Sequence, residues 1–254
     1  MHPAAGRGFN LAAGAYERGR PDYPEALQSW LSHTLGLQPG ATALDLGAGT
    51  GKFTRVLRRT GARVIAVEPV AAMLAQLSRA LPEALALAAT AQRLPFSSGV
   101  AEAVTCAQAF HWFADAEALA EIHRVLKPRG RLGLVWNVRD ETVPWVAAIT
   151  ELMRPYERGT PRFHSGAWRL VFRGQPFGDL AQSSFAYQHV GPPQTVIVDR
   201  VLSVSFIAAL PPERQQALSA QLRELITTHP DLRGRDRIAF PYRTQAFCCS
   251  RMPG

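Results

Sequence analysis

Four residues near position 50 combine an acidic side chain with three closely spaced glycines. Asp45 ends a short apolar run, and Gly47, Gly49 and Gly51 follow it at alternate positions before a segment with helical spacing. Because glycine has no Cβ, such a loop turns tightly from strand to helix and lets a ligand approach the backbone. The start of the helix adds amide groups that have no partner of their own. These residues therefore predict a ligand-binding turn with a negative charge beside it.

Two other glycine-rich loops compete with this interpretation. A phosphate loop needs Gly-x-x-x-x-Gly-Lys followed by Ser or Thr, but Leu46 stands where the first glycine belongs and Phe53 follows Lys52. A dinucleotide fingerprint needs Gly-x-Gly-x-x-Gly, whereas here the third glycine comes one residue early and Asp45 would lie beside a pyrophosphate. The phosphate loop is excluded. The dinucleotide loop is weakened but stays open, and with it a nucleotide-dependent oxidoreductase.

Strands and helices alternate on both sides of this loop. Short apolar or β-branched runs predict strands at 41–46, 63–67, 85–88, 100–107 and 131–136. Apolar residues at helical spacing predict helices at 24–37, 53–59, 71–80 and 114–126, the last one stopped by a Pro-Arg-Gly sequence at 128–130. This alternation predicts an α/β fold with a doubly wound, mostly parallel sheet that is covered on both faces.

The pattern changes after residue 140. Helices are predicted at 142–156, 194–210 and 212–228, strands at 183–190 and 240–249, and the stretch 158–178 is rich in Gly, Pro and aromatic residues. No internal repeat and no sharp shift in composition marks a second folding unit. We therefore expect one domain with an inserted lid.

The segment Leu44-Asp45-Leu46-Gly47-Ala48-Gly49-Thr50-Gly51 resembles motif I of the class I S-adenosylmethionine-dependent methyltransferases. The α-amino group and the sulfonium of that cofactor are cationic, so an acid beside the turn suits it as it would not suit phosphate. The resemblance implies a seven-stranded Rossmann-like fold with an antiparallel terminal strand, and S-adenosylhomocysteine as the product. It also implies that Asp45 supplies negative charge and that the homocysteine part lies against Gly47, Ala48, Gly49 and Gly51.

An acidic residue at the end of the second strand extends this resemblance. Glu68 falls where the family places an acid that accepts hydrogen bonds from both ribose hydroxyls. A carboxylate suits this task because its two oxygens receive two O–H donors at once. Pro69 and Met73, which follow it, are assigned to the same site.

The segment Thr90-Ala91-Gln92-Arg93-Leu94-Pro95-Phe96 resembles the one that contacts adenine in the family, where relatives often carry Asp at the position of Thr90. Without that acid, recognition of the adenine amino group falls to the Thr90 hydroxyl, the Gln92 side chain or backbone carbonyls. We assign Thr90 and Ala91 to the cofactor site. Gln108, which follows the fourth strand at the carboxyl edge where ligands of such sheets lie, is assigned to it as well.

The amino-terminal stretch 16–24 resembles the leading segment of the methyltransferase subgroup that includes the trans-aconitate-type enzymes, the methyltransferase-11 domain group. In that subgroup the segment folds over the cofactor. An arginine can hold the methionine carboxylate with its planar fork of donors, and Arg20 is the first choice and Arg18 the second. Either arginine could equally be an exposed surface charge. Tyr16 is assigned to the cofactor, and Tyr23 to the mouth of the pocket.

Methyl transfer from a sulfonium is a direct displacement, so alignment in a dry pocket contributes most of the catalysis and a base is optional. A carboxylate acceptor needs no base, whereas a phenol, thiol or acidic carbon could use one. His111 is the candidate base, with a packing role as the alternative. Arg139 could bind an anionic acceptor or pair with a neighbouring acid. The predicted acceptor contacts are Tyr23, Phe110, His111, Trp112, Trp136, Asn137 and Arg139.

Composition limits the other classes of function. The net charge of +8 comes mainly from scattered arginines, and the chain has only two lysines. This charge pattern argues against a nucleic-acid partner, and a catalytically silent protein that touches RNA stays as the alternative. The three cysteines are too few and too poorly spaced for a zinc site, and we expect no metal. With no apolar span of membrane length and no targeting segment, we expect a cytoplasmic monomer or homodimer.

The expected organisation follows from these assignments. One methyltransferase domain covers 1–254, with a cofactor-covering segment and helix at 1–40 and a cofactor-binding core at 41–140. The lid and the determinants of acceptor specificity are placed at 141–180 and 191–230, and the terminal strand at 240–250. The sequence does not identify the acceptor, because specificity would reside in the lid.

Overall fold

A single mixed sheet organises the chain, which is described by a computed structural model over residues 19–157 and 159–253. Its strands follow the order β3-β2-β1-β4-β5-β7-β6. Strands β1 to β5 are parallel to one another, and β7 runs antiparallel to both β5 and β6. The predicted seven-stranded α/β sheet with an antiparallel terminal strand is confirmed. The strands are β1 Thr42–Leu46, β2 Arg63–Val67, β3 Leu85–Leu87, β4 Ala101–Ala107, β5 Leu126–Arg139, β6 Ala181–Gly191 and β7 Ile238–Ser250.

Amphipathic helices cover this sheet. In the helix after β4, for example, Leu119, Ile122 and Val125 are buried on one face, and Asp115 caps the start by accepting a hydrogen bond from the Ala118 amide at 2.7 Å. The α-helices of the described residues are α1 Leu27–His33, α2 Lys52–Arg58, α3 Ala71–Ala80, α4 Ala116–Val125, α5 Pro144–Met153, α6 Arg200–Leu202, α7 Ser205–Ala208 and α8 Pro212–Thr228. None of them has the length and apolar character that crossing a bilayer requires.

The strand ends at one edge of the sheet are tied to one another by backbone hydrogen bonds. The amides of Gly47 and Ala48, just past β1, both donate to the carbonyl of Val67 at the end of β2, at 2.8 and 3.2 Å. The amide of Gln108, just past β4, donates to the carbonyl of Val135 in β5 at 2.8 Å. Because these bonds continue the ladders past the strands, the loops that follow them leave the sheet side by side. This is the edge where parallel α/β sheets bind ligands.

The two long connections after β5 and after β6 fold together above the antiparallel part of the sheet. One apolar cluster joins α5, the segment 196–207, α8 and the first half of β7 through buried side chains such as Ile149, Ile197, Leu218 and Phe240. The lid predicted from the sequence therefore corresponds to helices with a core of their own against β7. Its division from the rest of the domain stays a prediction.

Three elements differ from the sequence prediction. Strand β5 begins at Leu126 rather than at 131, because the Pro-Arg-Gly stretch lies within the strand's irregular first part, where the register against β4 shifts. The helix predicted at 194–210 is instead a π-helical stretch, Gln194–Asp199, followed by the short helices α6 and α7. Its break comes at Ser203 and Val204, where the Ser203 hydroxyl donates to the Arg200 carbonyl and Val204 is extended. The first helix is shorter than predicted, ending at His33.

Candidate active site

The glycine turn has a backbone conformation and a close approach that only glycine fits. Gly47, Gly49 and Gly51 have φ angles of 68°, 58° and 87°, in the left-handed region. A Cβ on Gly47 would lie 2.6 Å from the Cβ of Ala109, in the chain that leaves β4. The turn therefore lies directly against the exit of β4.

Glu68 is fixed against this turn by two backbone amides. Its Oε2 accepts a hydrogen bond from the Gly49 amide at 2.9 Å, and its Oε1 accepts one from the Val70 amide at 2.8 Å. The residue is only 5% exposed, and burial raises the pKa of its carboxyl. Each carboxylate oxygen keeps a lone pair for a further donor, so the side chain remains able to bind hydroxyls from a ligand.

Asp45 is a second buried acid, beneath the turn. It is fully buried, and its Oδ2 accepts a hydrogen bond from the Thr54 hydroxyl at 2.7 Å. Burial raises the pKa of Asp45 to about 7, and the charge of Glu68 adds to the rise, while the hydroxyls of Thr54 and Thr105 oppose it. A cation placed at the turn would favour the ionised carboxylate over the protonated acid.

Three cavities meet at this edge of the sheet. Two are named after the buried acid in their walls, and the third after its arginines. The Glu68 cleft lies between the ends of β2 and β4 and includes Gly49, Met73, Ala91 and Phe113 in its walls. The Asp45 cavity lies on the other side of the glycine turn. The arginine pocket, of about 470 Å³, lies under the connection that follows β5.

Most predicted site residues line these cavities. The predicted residues of the Glu68 cleft are Gly47, Gly49, Glu68, Pro69, Met73, Thr90, Ala91, Gln108 and Trp112. Those of the Asp45 cavity are Arg20, Tyr23, Asp45, Gly47, Ala48 and Gln108. Those of the arginine pocket are Arg20, Gln108, His111, Trp112, Trp136, Asn137 and Arg139.

Some assignments depart from the prediction. Phe110, expected to contact the acceptor, is fully buried against Phe113 and Phe172 and lines none of the three cavities. Gly51 also faces away from them, because it starts α2 and lies over Leu77, toward which a Cβ would point. Tyr23 lines the Asp45 cavity rather than the arginine pocket. Tyr16 and Arg18 lie outside the described residues.

The segment 19–23 lies across the Asp45 cavity and is held from three directions. The Lys52 ammonium donates to the Arg20 carbonyl at 3.0 Å, and the Asn137 amide donates to the Asp22 carbonyl at 2.8 Å. The Arg20 guanidinium donates to the Ser203 carbonyl at 3.2 Å. Arg20 therefore forms part of the wall between the Asp45 cavity and the arginine pocket.

The arginine pocket carries more cationic than anionic side chains. Two carboxylates face five guanidinium groups, and Arg162 and His164 both approach the same Glu157 oxygen, at 3.5 and 3.2 Å. The five arginines are Arg20, Arg139, Arg154, Arg162 and Arg200.

Two of these guanidinium groups are poorly compensated. The Nε and Nη1 atoms of Arg200 are buried and make no hydrogen bond within residues 19–157 and 159–253. Arg139 donates to the Met153 sulfur, a weak acceptor. Burial lowers the pKa of Arg139 to about 10, and the positive charge of Arg200 lowers it further. An anion in the pocket would accept the hydrogen bonds that Arg200 does not make, and it would offset the repulsion between the Arg139 and Arg200 guanidinium groups.

His111 presents a donor to this pocket rather than a lone pair. The Trp136 indole N–H donates to its Nδ1 at 3.1 Å. Burial lowers the pKa of His111 to about 3, and the nearby charges of Arg162, Arg20 and His164 contribute. A neutral ring that accepts at Nδ1 carries its proton on Nε2. The general-base role stays a prediction, and the geometry favours a hydrogen-bond donor.

Sequence reasoning missed the pocket residues that follow β5. Arg154, Arg162, His164 and Arg200 come from two connections that are far apart in the sequence, and no local spacing links them. The one available signal was the excess of arginine over lysine, since arginine is preferred where planar anions are bound.

The chain is similar in sequence and in fold to known methyltransferases. A family model described as "Methyltransferase domain" matches residues 44–134. A methyltransferase-like protein of Schizosaccharomyces pombe is 38% identical over 248 residues, which cover 96% of each chain. A solved putative type II methyltransferase from Anaeromyxobacter dehalogenans has a TM-score of 0.64 at 24% identity and covers 92% of this chain and 99% of its own.

Ligand-bound structures share the fold as well. Phosphoethanolamine N-methyltransferase 2 of Haemonchus contortus, solved with phosphomonomethylethanolamine and S-adenosylhomocysteine, has a TM-score of 0.58 at 15% identity and covers 96% of this chain and 58% of its own. With the sheet order, the glycine turn and the acid after β2, the fold is that of a methyltransferase. The chain belongs to the class I S-adenosylmethionine-dependent methyltransferases. Its placement in the trans-aconitate-type subgroup stays a prediction.

The first test concerns the protonation of His111. We expect the ring to remain neutral, with its proton on Nε2, down to about pH 4, because burial and neighbouring cations oppose its charging. Nitrogen-15 NMR of histidine-labelled protein measures both the tautomer and the titration. Below the ordinary pKa of 6.5 the unfolded chain binds a proton that the folded ring does not, so this site weakens folding as the pH falls.

Trp136→Phe provides the matched variant for this test. It removes the indole N–H that engages Nδ1, so the pKa of His111 should move toward its ordinary value while the aromatic packing is largely kept. A wild-type ring that titrates near pH 6.5, or a proton found on Nδ1, would refute the donor assignment.

Proposed function

We propose that this protein transfers a methyl group from S-adenosylmethionine to an anionic small molecule held in the arginine pocket. The observation that carries the proposal is the position of an under-compensated cationic pocket directly beside two cavities that each contain one buried acid, Glu68 in one and Asp45 in the other. Gln108 and Trp112 line both the arginine pocket and the Glu68 cleft, so ligands in the two would be in contact.

The residues around the glycine turn fit the methyl donor. Glu68 offers two carboxylate oxygens for a ribose diol, and Met73 and Ala91 offer apolar surface for adenine. The Gln92 side-chain amide donates to Asp115 at 2.8 Å, which leaves its carbonyl oxygen for the adenine amino group. This arrangement supports the interpretation that Gln92, rather than Thr90 alone, replaces the acid found in relatives.

The methionine part of the donor fits the Asp45 cavity. The buried carboxyl of Asp45 favours a cation, and Arg20 offers a planar fork for the carboxylate. The Haemonchus enzyme with the same fold was solved with S-adenosylhomocysteine, which supports the choice of donor. The bound cofactor would supply an electrophilic methyl group on a sulfonium. The chain itself would orient the two ligands and exclude water.

The acceptor side needs no strong base if the attacking atom is already anionic. His111 offers an N–H, and the guanidinium groups of Arg139 and Arg200 offer charge-assisted hydrogen bonds to an anion. The pocket is large enough for a small molecule, because its volume of about 470 Å³ falls within the range of about 300–1,000 Å³ that is typical of sites for such ligands. The carboxylate, hydroxyl, thiol or carbon character of the attacking atom stays open.

The donor assignment is tested by calorimetry. We expect S-adenosylmethionine and S-adenosylhomocysteine to bind the wild type, and Glu68→Gln to weaken both by about tenfold or more, because a charge-assisted bond to a carboxylate contributes about 1.5–3 kcal/mol. Glu83→Gln, an exposed acid that pairs with Arg58, is the control and should bind normally. Stabilisation by NAD(H) and not by S-adenosylhomocysteine would favour an oxidoreductase instead.

Binding of the cationic donor should also depend on pH through Asp45. The free protein holds this acid with a pKa of about 7, and a cation favours its ionised form, so donor binding near neutral pH releases a proton. Affinity should therefore fall as the pH drops below about 7, by up to about tenfold per pH unit. Calorimetry in two buffers with different ionisation enthalpies counts the released protons.

Asp45→Asn should abolish that proton release. It should also weaken the binding of S-adenosylmethionine more than that of S-adenosylhomocysteine, because the sulfur of the product carries no charge. In the free protein the raised pKa of Asp45 has the opposite effect on folding: donor affinity rises with pH, whereas the free energy of unfolding falls. The unfolded acid ionises near its ordinary pKa of 3.8, so stability falls as the pH rises from there through about 7. An affinity that does not change between pH 8 and pH 6 would contradict this role for Asp45.

The acceptor class is tested with labelled S-adenosylmethionine and a panel of small mono-, di- and tricarboxylates and phosphate esters, each paired with its neutral amide or methyl ester. We expect methyl transfer to anions only. Arg139→Met should reduce anion turnover by about 10- to 100-fold, because about 1.5–3 kcal/mol of charged hydrogen bonding is lost. Arg200→Met should act in the same way.

Arg173→Met is the control for the removal of an exposed arginine, because Arg173 lines none of the three cavities. Donor affinity should stay within about threefold of wild type in Arg139→Met, a limit of roughly 0.7 kcal/mol, because Arg139 lines the arginine pocket and neither of the other two cavities. Equal turnover of neutral and anionic compounds, or a loss confined to donor affinity, would refute the assignment of these arginines to the acceptor.

A further inference from the structure

Gln108 stands where the three cavities meet. It is the first residue after β4, and it lines the Glu68 cleft, the Asp45 cavity and the arginine pocket. No other described residue belongs to the walls of all three. If donor and acceptor occupy these cavities, the group to be transferred passes next to this side chain.

The backbone of Gln108 has a conformation that its side chain disfavours. Its φ angle is 57°, and among the residues that the structure describes only Arg129 shares a positive φ without being glycine. In this region the Cβ of an L-residue is crowded by its own backbone, so glycine would be the unstrained choice. Residues with such backbone strain cluster at active sites and ligand-binding sites.

The side-chain amide of Gln108 is not used to stabilise the fold. Its backbone amide donates to the Val135 carbonyl, but the side chain makes no hydrogen bond to any part of the chain within 19–157 and 159–253. The next residue, Ala109, lies against Gly47 of the glycine turn, so the position of the amide at the junction is set by the loop geometry. A strained residue with a free amide at a junction of cavities points to a ligand contact.

We propose that the side-chain amide of Gln108 orients the methyl acceptor at this junction, by donating from Nε2 to its anionic group. The inference rests on the proposed function, since it needs an anion in the arginine pocket. An amide offers two N–H donors without a charge of its own. The amide therefore holds the anion by hydrogen bonds without adding another positive charge beside the arginines, while the attacking lone pair of the acceptor faces the methyl donor.

Three variants separate this role from a structural one. Gln108→Gly removes the amide and relieves the strain, Gln108→Glu keeps the length but replaces the donor with an acceptor, and Gln108→Asn keeps an amide on a residue that tolerates a positive φ. The readouts are the melting temperature, the Kd for S-adenosylhomocysteine, and kcat and KM for the carboxylate of the panel that the wild type methylates fastest.

We expect Gln108→Gly to melt at or above the wild-type temperature and to bind S-adenosylhomocysteine within threefold of wild type. Its kcat/KM for the carboxylate should fall about 100-fold, in line with the loss of one orienting contact. Gln108→Glu should lose as much or more, because its charge repels the anion, and Gln108→Asn should recover part of the activity.

Arg129→Gly is the matched control. It relieves the same left-handed strain at an exposed position in the irregular first part of β5, away from all three cavities. It should change the melting temperature in the same direction as Gln108→Gly and leave kcat unchanged.

The outcomes distinguish this inference from the function on which it rests. A wild type that methylates no anion refutes the proposed function, and this inference with it. An active wild type whose Gln108 variants keep kcat, or lose only affinity for S-adenosylhomocysteine, refutes the inference alone. A melting temperature of Gln108→Gly well below that of wild type would show that the residue serves the fold.

Discussion

The close approach of two turns, one after β1 and one after β4, determines the geometry of the whole site. Gly47 allows this approach because any Cβ there would lie 2.6 Å from that of Ala109. The contact puts the glycine turn, with Glu68 bound to its Gly49 amide, next to the segment that carries Gln108, His111 and Trp112. A larger residue at position 47 would push the acidic and the cationic halves of the site apart.

The charged side chains of the site are shared out unevenly among the three cavities. Glu68 lines the Glu68 cleft and Asp45 the Asp45 cavity, and Arg200 lines both the Asp45 cavity and the arginine pocket. In the proposed reaction the donor loses the positive charge of its sulfonium, and the acceptor loses one negative charge when it receives the methyl group. The donor keeps its ammonium and its carboxylate, so its contacts in the Asp45 cavity would persist. The methylated acceptor would lose a charge-assisted contact with the arginine pocket, which favours its release.

The sequence predicted the donor half of the site better than the acceptor half, for a physical reason. The glycine turn, Glu68 and the segment around Ala91 each follow a strand of a parallel sheet, so local patterns indicate both their element and their shared edge. The strand 63–67 and the helices 71–80 and 212–228 agree with the structure to the residue. The short-range spacing of apolar residues therefore predicts where these strands and helices begin and end.

The acceptor half depends on contacts that local spacing does not encode. Arg162 and Arg200 meet only because two connections fold together on β7, and the segment of Arg200 was expected to be one continuous helix. The misassignment of Phe110 has a similar origin. The positive φ of Gln108 redirects the chain after β4, so the alternation of the strand no longer tells which side chains face the cleft.

The wall shared by two of the cavities has a thermodynamic consequence. Arg20 and Arg200 each line both the Asp45 cavity and the arginine pocket. A ligand that fixes these guanidinium groups from one side removes rotamer freedom that the ligand on the other side would otherwise have to restrict. The two binding equilibria are therefore linked, and by reciprocity each ligand changes the dissociation constant of the other by the same factor.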